Sequence, residues 1–238
     1  MQGMPAPLQP SVEMEVEDRT APRFTLLIRA AKLVIEDQEY LCVVRDISAT
    51  GASIRSFHPV PKGARLALEF QSGPRYAADL IWERDSEAGF QFHTAIEVDD
   101  ILSGYTDHPR RDLRFALELP AKLHCAGRSL DVNMLNLSRQ GSAIECAIAL
   151  SIDQPVRIEA EGLPEIEARV RWRKDGRYGL VFHSTFSISN LALMIRNLNE
   201  RTRMRGASKA VKTASDPRAS AEFEKSGPPL SAENCAAR

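Results

Sequence analysis

The chain repeats itself. Asp46-Ile-Ser48-Ala-Thr-Gly51 lies over Asn136-Leu-Ser138-Arg-Gln-Gly141 at an offset of 90 residues. The same offset carries Trp82 onto Trp172, Gly89 onto Gly179, Phe92 onto Phe182 and His93 onto His183. Further upstream, Arg19 and Arg23 fall on Arg110 and Arg114 at an offset of 91, which places a one-residue difference in the first hairpin. A repeat this long exceeds any solenoid unit and marks a duplicated domain. Whatever one copy folds into, the other must fold into as well.

Each copy reads as strands. In the first, Leu26–Ile35 and Tyr40–Asp46 are apolar and β-branched, separated by the polar turn at 36–39. Ala52–Ser56, the breaker at His58–Gly63, Ala64–Phe70, Arg75–Glu83 and Gly89–Phe92 follow. The second copy repeats the pattern at Ala116–Cys125, Ser129–Leu137, Ser142–Cys146, Pro155–Ala160, Glu165–Arg173 and Tyr178–His183. Six short strands with close-set turns predict an antiparallel barrel or sandwich, of which a closed barrel removes every exposed edge.

Helical spacing stands out once. Leu191, Met194, Ile195 and Leu198 fall at i, i+3, i+4 and i+7, with Ser189 or Asn190 as the N-cap, so a helix is expected against the second barrel. The first copy has only a stub there, near Asp99–Leu102. Residues 1–18 hold four acids and no base, while Arg201–Arg238 hold eight bases and four acids. Both ends lack the apolar content to bury, so an acidic disordered arm (1–18) and a disordered tail (200–238) are expected. Between them lie a first domain at 19–103, a linker at 104–109 and a second domain at 110–199.

Composition narrows the function classes. With 31 basic and 32 acidic side chains the net charge is −1, which argues against general polyanion binding, DNA included. No apolar run is long enough to span a bilayer and the first residues do not form a secretory signal, so a cytoplasmic location is expected. Cys42, Cys125, Cys146 and Cys235 show no metal-ligand spacing and read as small hydrophobes rather than a zinc or disulfide framework. His93 and His183 are each lone histidines near a strand end. Trp82 and Trp172 read as core or surface anchors rather than stacking platforms. No nucleophile elbow, phosphate-cradling loop or metalloprotease motif occurs, so the chain is not read as an enzyme and no cofactor is expected.

Two clusters remain in each copy: a pair of arginines four apart, then D/N-x-S-x-x-G. Arginine forks onto phosphate oxygens, or onto the O6 and N7 edge of guanine, in a planar bidentate contact that lysine cannot copy. An Asp or Asn oxygen accepts from guanine N1–H or N2–H, a serine adds a hydroxyl, and glycine permits a tight turn or a close approach. Arg19-Thr-Ala-Pro-Arg23 with Asp46–Gly51, and Arg110-Arg-Asp-Leu-Arg114 with Asn136–Gly141, resemble the PilZ domain, a bacterial receptor module for cyclic di-GMP. The later Trp and Gly-x-x-Phe pattern matches in both copies.

The resemblance implies two tandem six-stranded antiparallel β-barrels of the PilZ split-barrel type. It further implies a cyclic di-GMP effector that changes conformation and signals to a protein target of motility or exopolysaccharide machinery. It assigns Arg19, Arg23, Asp46, Ser48 and Gly51 to one ligand site, and Arg110, Arg114, Asn136, Ser138 and Gly141 to the other, with Arg111 as an extra cation. The first pair follows Glu15, Glu17 and Asp18, which compete for Arg19, so the second site is expected to be the tighter. The rival readings are a protein-interaction module that has lost the ligand, and an RNA-binding barrel. The latter is weakened by an aromatic share of only 6%. Because the linker runs straight into Arg110, ligand closure there is expected to restrict where the first barrel sits.

Overall fold

Alternation of apolar and polar side chains becomes interior and wall in both copies. The computed structural model describes residues 24–70, 74–103 and 112–214, which divide into one unit up to Leu113 and another from Arg114. The first unit contains β1 (Phe24–Ile35), β2 (Gln38–Ser48), β3 (Gly51–Ser56), β4 (Leu66–Phe70), β5 (Arg75–Arg84), β6 (Glu87–Phe92) and α1 (Val98–Ser103). The second contains β7 (Phe115–Cys125), β8 (Arg128–Leu137), β9 (Gly141–Glu145), β10 (Pro155–Ala160), β11 (Ile166–Lys174), β12 (Arg177–Phe182) and α2 (Ile188–Ala214). Each expected strand is present, with ends shifted by a few residues.

Both units are closed antiparallel barrels of the same topology. The first runs β1-β2-β3-β6-β5-β4, and the second closes around β7-β8-β9-β12-β11-β10. Closure comes from β1 on β4 (Ala31↔Phe70 through Ile35↔Leu66) and from β7 on β10 (Ala121↔Ala160 through His124↔Arg157). The interiors fill with inward positions: Leu33, Val44, Ile54, Leu68 and Phe90 in one barrel, Leu123, Met134, Ile144, Ile158 and Leu180 in the other. Cys42 and Cys146 are buried and Cys125 half-buried, all as free thiols, and burial pushes the Cys42 thiol up. Burial as small apolar groups is the role that their spacing suggested.

Two-residue turns set the strand registers. Ala126-Gly127 and Asp175-Gly176 hold both central residues at positive φ (46° and 73°, 48° and 74°), the type I′ geometry whose twist matches paired strands. The first hairpin is tighter than the expected four-residue turn, because β2 already resumes at Gln38.

The one-residue offset between the copies has a location. The β1–β2 register steps from Thr25↔Asp46 to Arg29↔Val44, and the β7–β8 register from Ala116↔Asn136 to Leu119↔Met134. Thus β1 takes one residue more than β7 through the same bulge, and the turn beyond it is unchanged. A bulge absorbs an insertion without moving the strand's faces, which is why the two arginine pairs sit at a different offset from everything downstream.

The helices correct two expectations. The N-cap of α2 is Ser187, not Ser189 or Asn190: its Oγ accepts from the Asn190 N–H at 3.1 Å and its carbonyl from the Leu191 N–H at 3.0 Å. Leu191, Ala192, Ile195 and Leu198 are buried. The helix also runs on to Ala214 instead of giving way to tail near residue 200. Low hydrophobicity argued against burial there, but Arg, Met, Ala and Lys remain good helix formers, and propagation from a docked helix needs no new nucleus. The expected acidic arm, the linker at 104–109, Cys235 and the tail beyond 214 lie outside the described residues. No helix of the described residues is long and apolar enough to cross a membrane.

Candidate functional site

The turn between β2 and β3, and its twin between β8 and β9, is built by its serine. Ser138 Oγ donates to the Gly141 carbonyl at 2.8 Å and accepts from the Gly141 N–H at 3.1 Å, while the Ser138 N–H donates to the same carbonyl at 2.9 Å. Ser48 Oγ donates to the Gly51 carbonyl at 3.2 Å. Both serines are buried. Their hydroxyls are engaged in holding the turn, a structural task beyond the ligand contact suggested by the sequence.

The glycines are needed for closeness, not for a left-handed backbone. A Cβ on Gly51 would lie 2.4 Å from the Phe90 carbonyl oxygen, and one on Gly141 would lie 2.3 Å from that of Leu180. The turns are then fastened to the barrel. Phe92 N–H donates to the Thr50 carbonyl and Ile96 N–H to that of Ala49, with Phe182 to Gln140 and Phe186 to Arg139 as counterparts. Arg139 returns the bond, its Nε donating to the Phe186 carbonyl at 3.0 Å.

Just before each turn stands the Asp or Asn, in β2 or β8 beside a bulge. Asn136 Oδ1 accepts from the Ala143 N–H at 2.9 Å and from Arg114 Nη1 at 3.3 Å. Two motifs 22 residues apart in sequence are thereby joined at the start of the second barrel. In the first barrel the Ser53 hydroxyl donates to the Asp46 carboxylate. Arg19, Arg23, Arg110 and Arg111 lie outside the described residues, so of these five arginines the geometry speaks for Arg114.

Sequence reasoning underweighted the tryptophans. Trp82 pairs with Gly89 across β5–β6, and Trp172 with Gly179 across β11–β12. A Cβ on Gly89 would lie 2.0 Å from Trp82 Nε1, and one on Gly179 would lie 1.8 Å from Trp172 Nε1, so each indole lies flat on a glycine. They anchor the surface as expected, yet remain 44% and 41% exposed. Trp82 also lines an open hollow of about 250 Å³ together with Ser48, Gly51 and Ser53. An indole beside the D-x-S-x-x-G turn offers both a π-face and an N–H. The signal was in the sequence: a Trp seven residues before a Gly, twice, within a hairpin. Ser53 was missed too, since its partnership with Asp46 appears only once β2 and β3 are in register.

The histidines are less isolated than expected. His93 Nε2 lies 3.1 Å from Asp79 and His183 Nδ1 lies 3.3 Å from Glu167, both at exposed strand ends. Among the described residues no three His, Cys, Asp or Glu side chains are placed to hold a metal ion.

A family model described as "PilZ domain" matches the chain twice, over residues 17–105 and 108–200. Among solved structures the chain is similar to the PlzA protein of Borreliella burgdorferi in complex with c-di-GMP, at 12% identity over 71% of this chain and 87% of that one (TM-score 0.32). It is similar to YcgR of Escherichia coli in complex with c-di-GMP, at 11% identity over 76% and 88% (TM-score 0.32). The Bacillus subtilis inhibitor of motility MotI/DgrA shares 14% identity over 75% and 98% (TM-score 0.33). No curated protein matches.

Proposed function

The chain belongs to the PilZ domain family, and from that membership we propose that it is a cyclic di-GMP receptor that passes the signal to a protein partner, not an enzyme. One observation supports this reading most: Arg114 is held by Asn136 at the mouth of the N-x-S-x-x-G turn. A guanidinium pre-positioned there loses little side-chain freedom when it forks onto a phosphate or a guanine edge. Arg110, Arg111, Ser138 and Gly141 complete the second site, and Arg19, Arg23, Asp46, Ser48 and Gly51 form the first. Ligand engagement by the second arginine pair is the step that changes conformation and is read by the partner.

Calorimetric titration tests the reading. Cyclic di-GMP gives saturable heat with a Kd of about 1 μM or tighter, near −8 kcal/mol, and GMP and GTP give none. Arg114→Ala weakens the second site by about 2–5 kcal/mol, and Arg114→Lys restores little because the fork is missing. No heat with cyclic di-GMP at tens of micromolar protein rejects the receptor reading in favour of a protein-interaction module.

A further inference from the structure

We propose that Arg171, which belongs to neither arginine pair, is a further ligand contact of the second barrel: its guanidinium donates to a phosphate of the cyclic dinucleotide. The inference rests on the receptor reading above and deepens it, by giving the second site a cation that the first site lacks.

Successive residues of a strand point to opposite faces, so a strand normally offers a neighbouring site every other side chain. A bulge breaks that rule by leaving one residue unpaired and re-aiming it. In the first barrel the β5–β6 ladder steps from Leu80↔Phe90 to Trp82↔Gly89, so Ile81 is the unpaired residue. Ile81 is 60% exposed, and it lines the same hollow as Trp82, Ser48, Gly51 and Ser53. Two consecutive side chains thus reach one side of the wall, beside the D-x-S-x-x-G turn.

The second barrel repeats the fixed points of this arrangement. Its β11–β12 ladder steps from Val170↔Leu180 to Trp172↔Gly179, which leaves Arg171 as the unpaired residue. Trp172 lies on Gly179 as Trp82 lies on Gly89, and Gly141 approaches Leu180 as closely as Gly51 approaches Phe90. Arg171 therefore holds, beside Ser138 and Gly141, the place that Ile81 holds beside Ser48 and Gly51. It is exposed, and among the described residues no hydrogen bond or ion pair engages it. An arginine in the place of an isoleucine brings a donor-only cation to the edge of the turn.

The strand around it has changed sign as well. Arg169, Arg171, Arg173 and Lys174 stand at the positions of Asp79, Ile81, Glu83 and Arg84, so three cations replace two acids and an apolar group. Arg169 is occupied, donating to the Asp153 carbonyl at 3.0 Å. A cyclic dinucleotide is a dianion, and a strand of positive charge beside its seat attracts it. A phosphate accepts a cation as a point charge, whereas the O6 and N7 edge of guanine is best met by a planar fork. An exposed arginine in a positive field suits the phosphate.

Calorimetry with cyclic di-GMP on the full chain carrying Arg23→Ala, which leaves the second site alone, tests the proposal. Adding Arg171→Ile weakens binding about tenfold at about 50 mM salt and only about threefold at about 500 mM, because a partly exposed charge pair is screened. Arg171→Lys keeps most of the affinity, since the charge stays. The unfolding midpoint does not move, isoleucine being the residue of the first barrel's bulge. If it does move, Arg171→Gln takes the place of Arg171→Ile with the same expected loss. Unchanged affinity in Arg171→Ile, a loss equal at both salt concentrations, or a loss that Arg171→Lys shares in full overturns the proposal while leaving cyclic di-GMP binding standing. Heat that Arg23→Ala abolishes overturns it too, because binding then belongs to the first barrel. Absence of heat in the unaltered chain overturns the receptor reading itself.

Discussion

The two barrels share a topology and differ in their β1–β2 wall. In the first, Tyr40, Leu41, Cys42, Val43 and Val44 are buried in succession, and Val34 is buried as well, so both faces of the wall are covered in the folded chain. In the second barrel the positions equivalent to Val34, Leu41 and Val43 are His124, Asp131 and Asn133, and β7 alternates between buried and open. The turn serines, the closely approached glycines and the tryptophan on its glycine recur in both. Interior geometry and turn construction are therefore what the repeat preserves, while the outer wall was free to change. The first wall also carries a cation where it is covered. Lys32 is buried, with Glu39 at 3.2 Å and Glu69 at 3.0 Å, and Arg75 closes the network on the same two carboxylates at 2.8 and 2.9 Å.

The shared part is where the largest effects belong. Gly51→Ala and Gly141→Ala each force a Cβ against a neighbouring strand's carbonyl, and each destabilises its own barrel by about 3 kcal/mol. Urea unfolding of the two variants measures it, and a tolerated Gly51→Ala beside a damaging Gly141→Ala would break the equivalence of the two turns. The unshared wall comes next. Lys32→Met takes a buried ammonium away from Glu39 and Glu69 and costs about 2 kcal/mol, the penalty of buried charge that loses a partner. Lys122, its counterpart, pairs with Asp131 at 2.6 Å, but the two side chains are 56% and 86% exposed. Lys122→Met therefore changes stability by at most about 0.5 kcal/mol.

Acid sharpens the same contrast. Burial pushes Glu69 up, but hydrogen bonds from Arg75 and Lys32 outweigh it and hold the carboxyl below its ordinary value of 4.5. A carboxyl with a lowered folded pKa contributes stability that is complete above its unfolded value and is lost as pH falls through the folded one. The first barrel accordingly loses urea resistance between about pH 5 and 3 faster than the second. Glu69→Gln removes that part of the slope, and an unaltered slope would show that the network does not govern the first barrel's acid limit.

Much of this was legible in the sequence, and for identifiable reasons. Strand order within each hairpin follows from period-two alternation and two-residue turns, which are local signals. The offset of 91 upstream and 90 downstream announced an inserted residue, but only the ladder shows that it sits in a bulge of β1 rather than in the turn. The N-cap was misplaced because three polar residues crowd together at 187, 189 and 190, and the choice between them is made by where the chain leaves Phe186, itself tied to Arg139. Ser53 beside Asp46 was out of reach, since a contact seven residues away in sequence depends on a bulge at Arg45 that shifts the register. The continuous apolar run of Tyr40–Val44, set against the alternation of Asp131, Val132, Asn133 and Met134, was a readable sign that one wall is covered on both faces.

The smallest expected effect separates turn-building from ligand contact. Ser138 is 3% exposed and its hydroxyl both gives and accepts a bond across the turn, whereas Ser48 donates one at the longer distance of 3.2 Å. Removing a hydroxyl from a buried turn costs the bond and leaves its partners unsatisfied, here the Gly141 N–H. Ser138→Ala therefore lowers the stability of the second barrel by about 1–1.5 kcal/mol, and Ser48→Ala lowers that of the first by nearer 0.5 kcal/mol. If the hydroxyl serves the turn, cyclic di-GMP affinity measured well below the melting temperature changes less than the stability does. If affinity falls in Ser138→Ala while the unfolding midpoint stays put, the hydroxyl meets the ligand instead, and the turn must be held by the backbone bond from Ser138 N–H to Gly141 alone. Measuring both quantities on both serine variants distinguishes the roles without assuming that the two barrels bind equally.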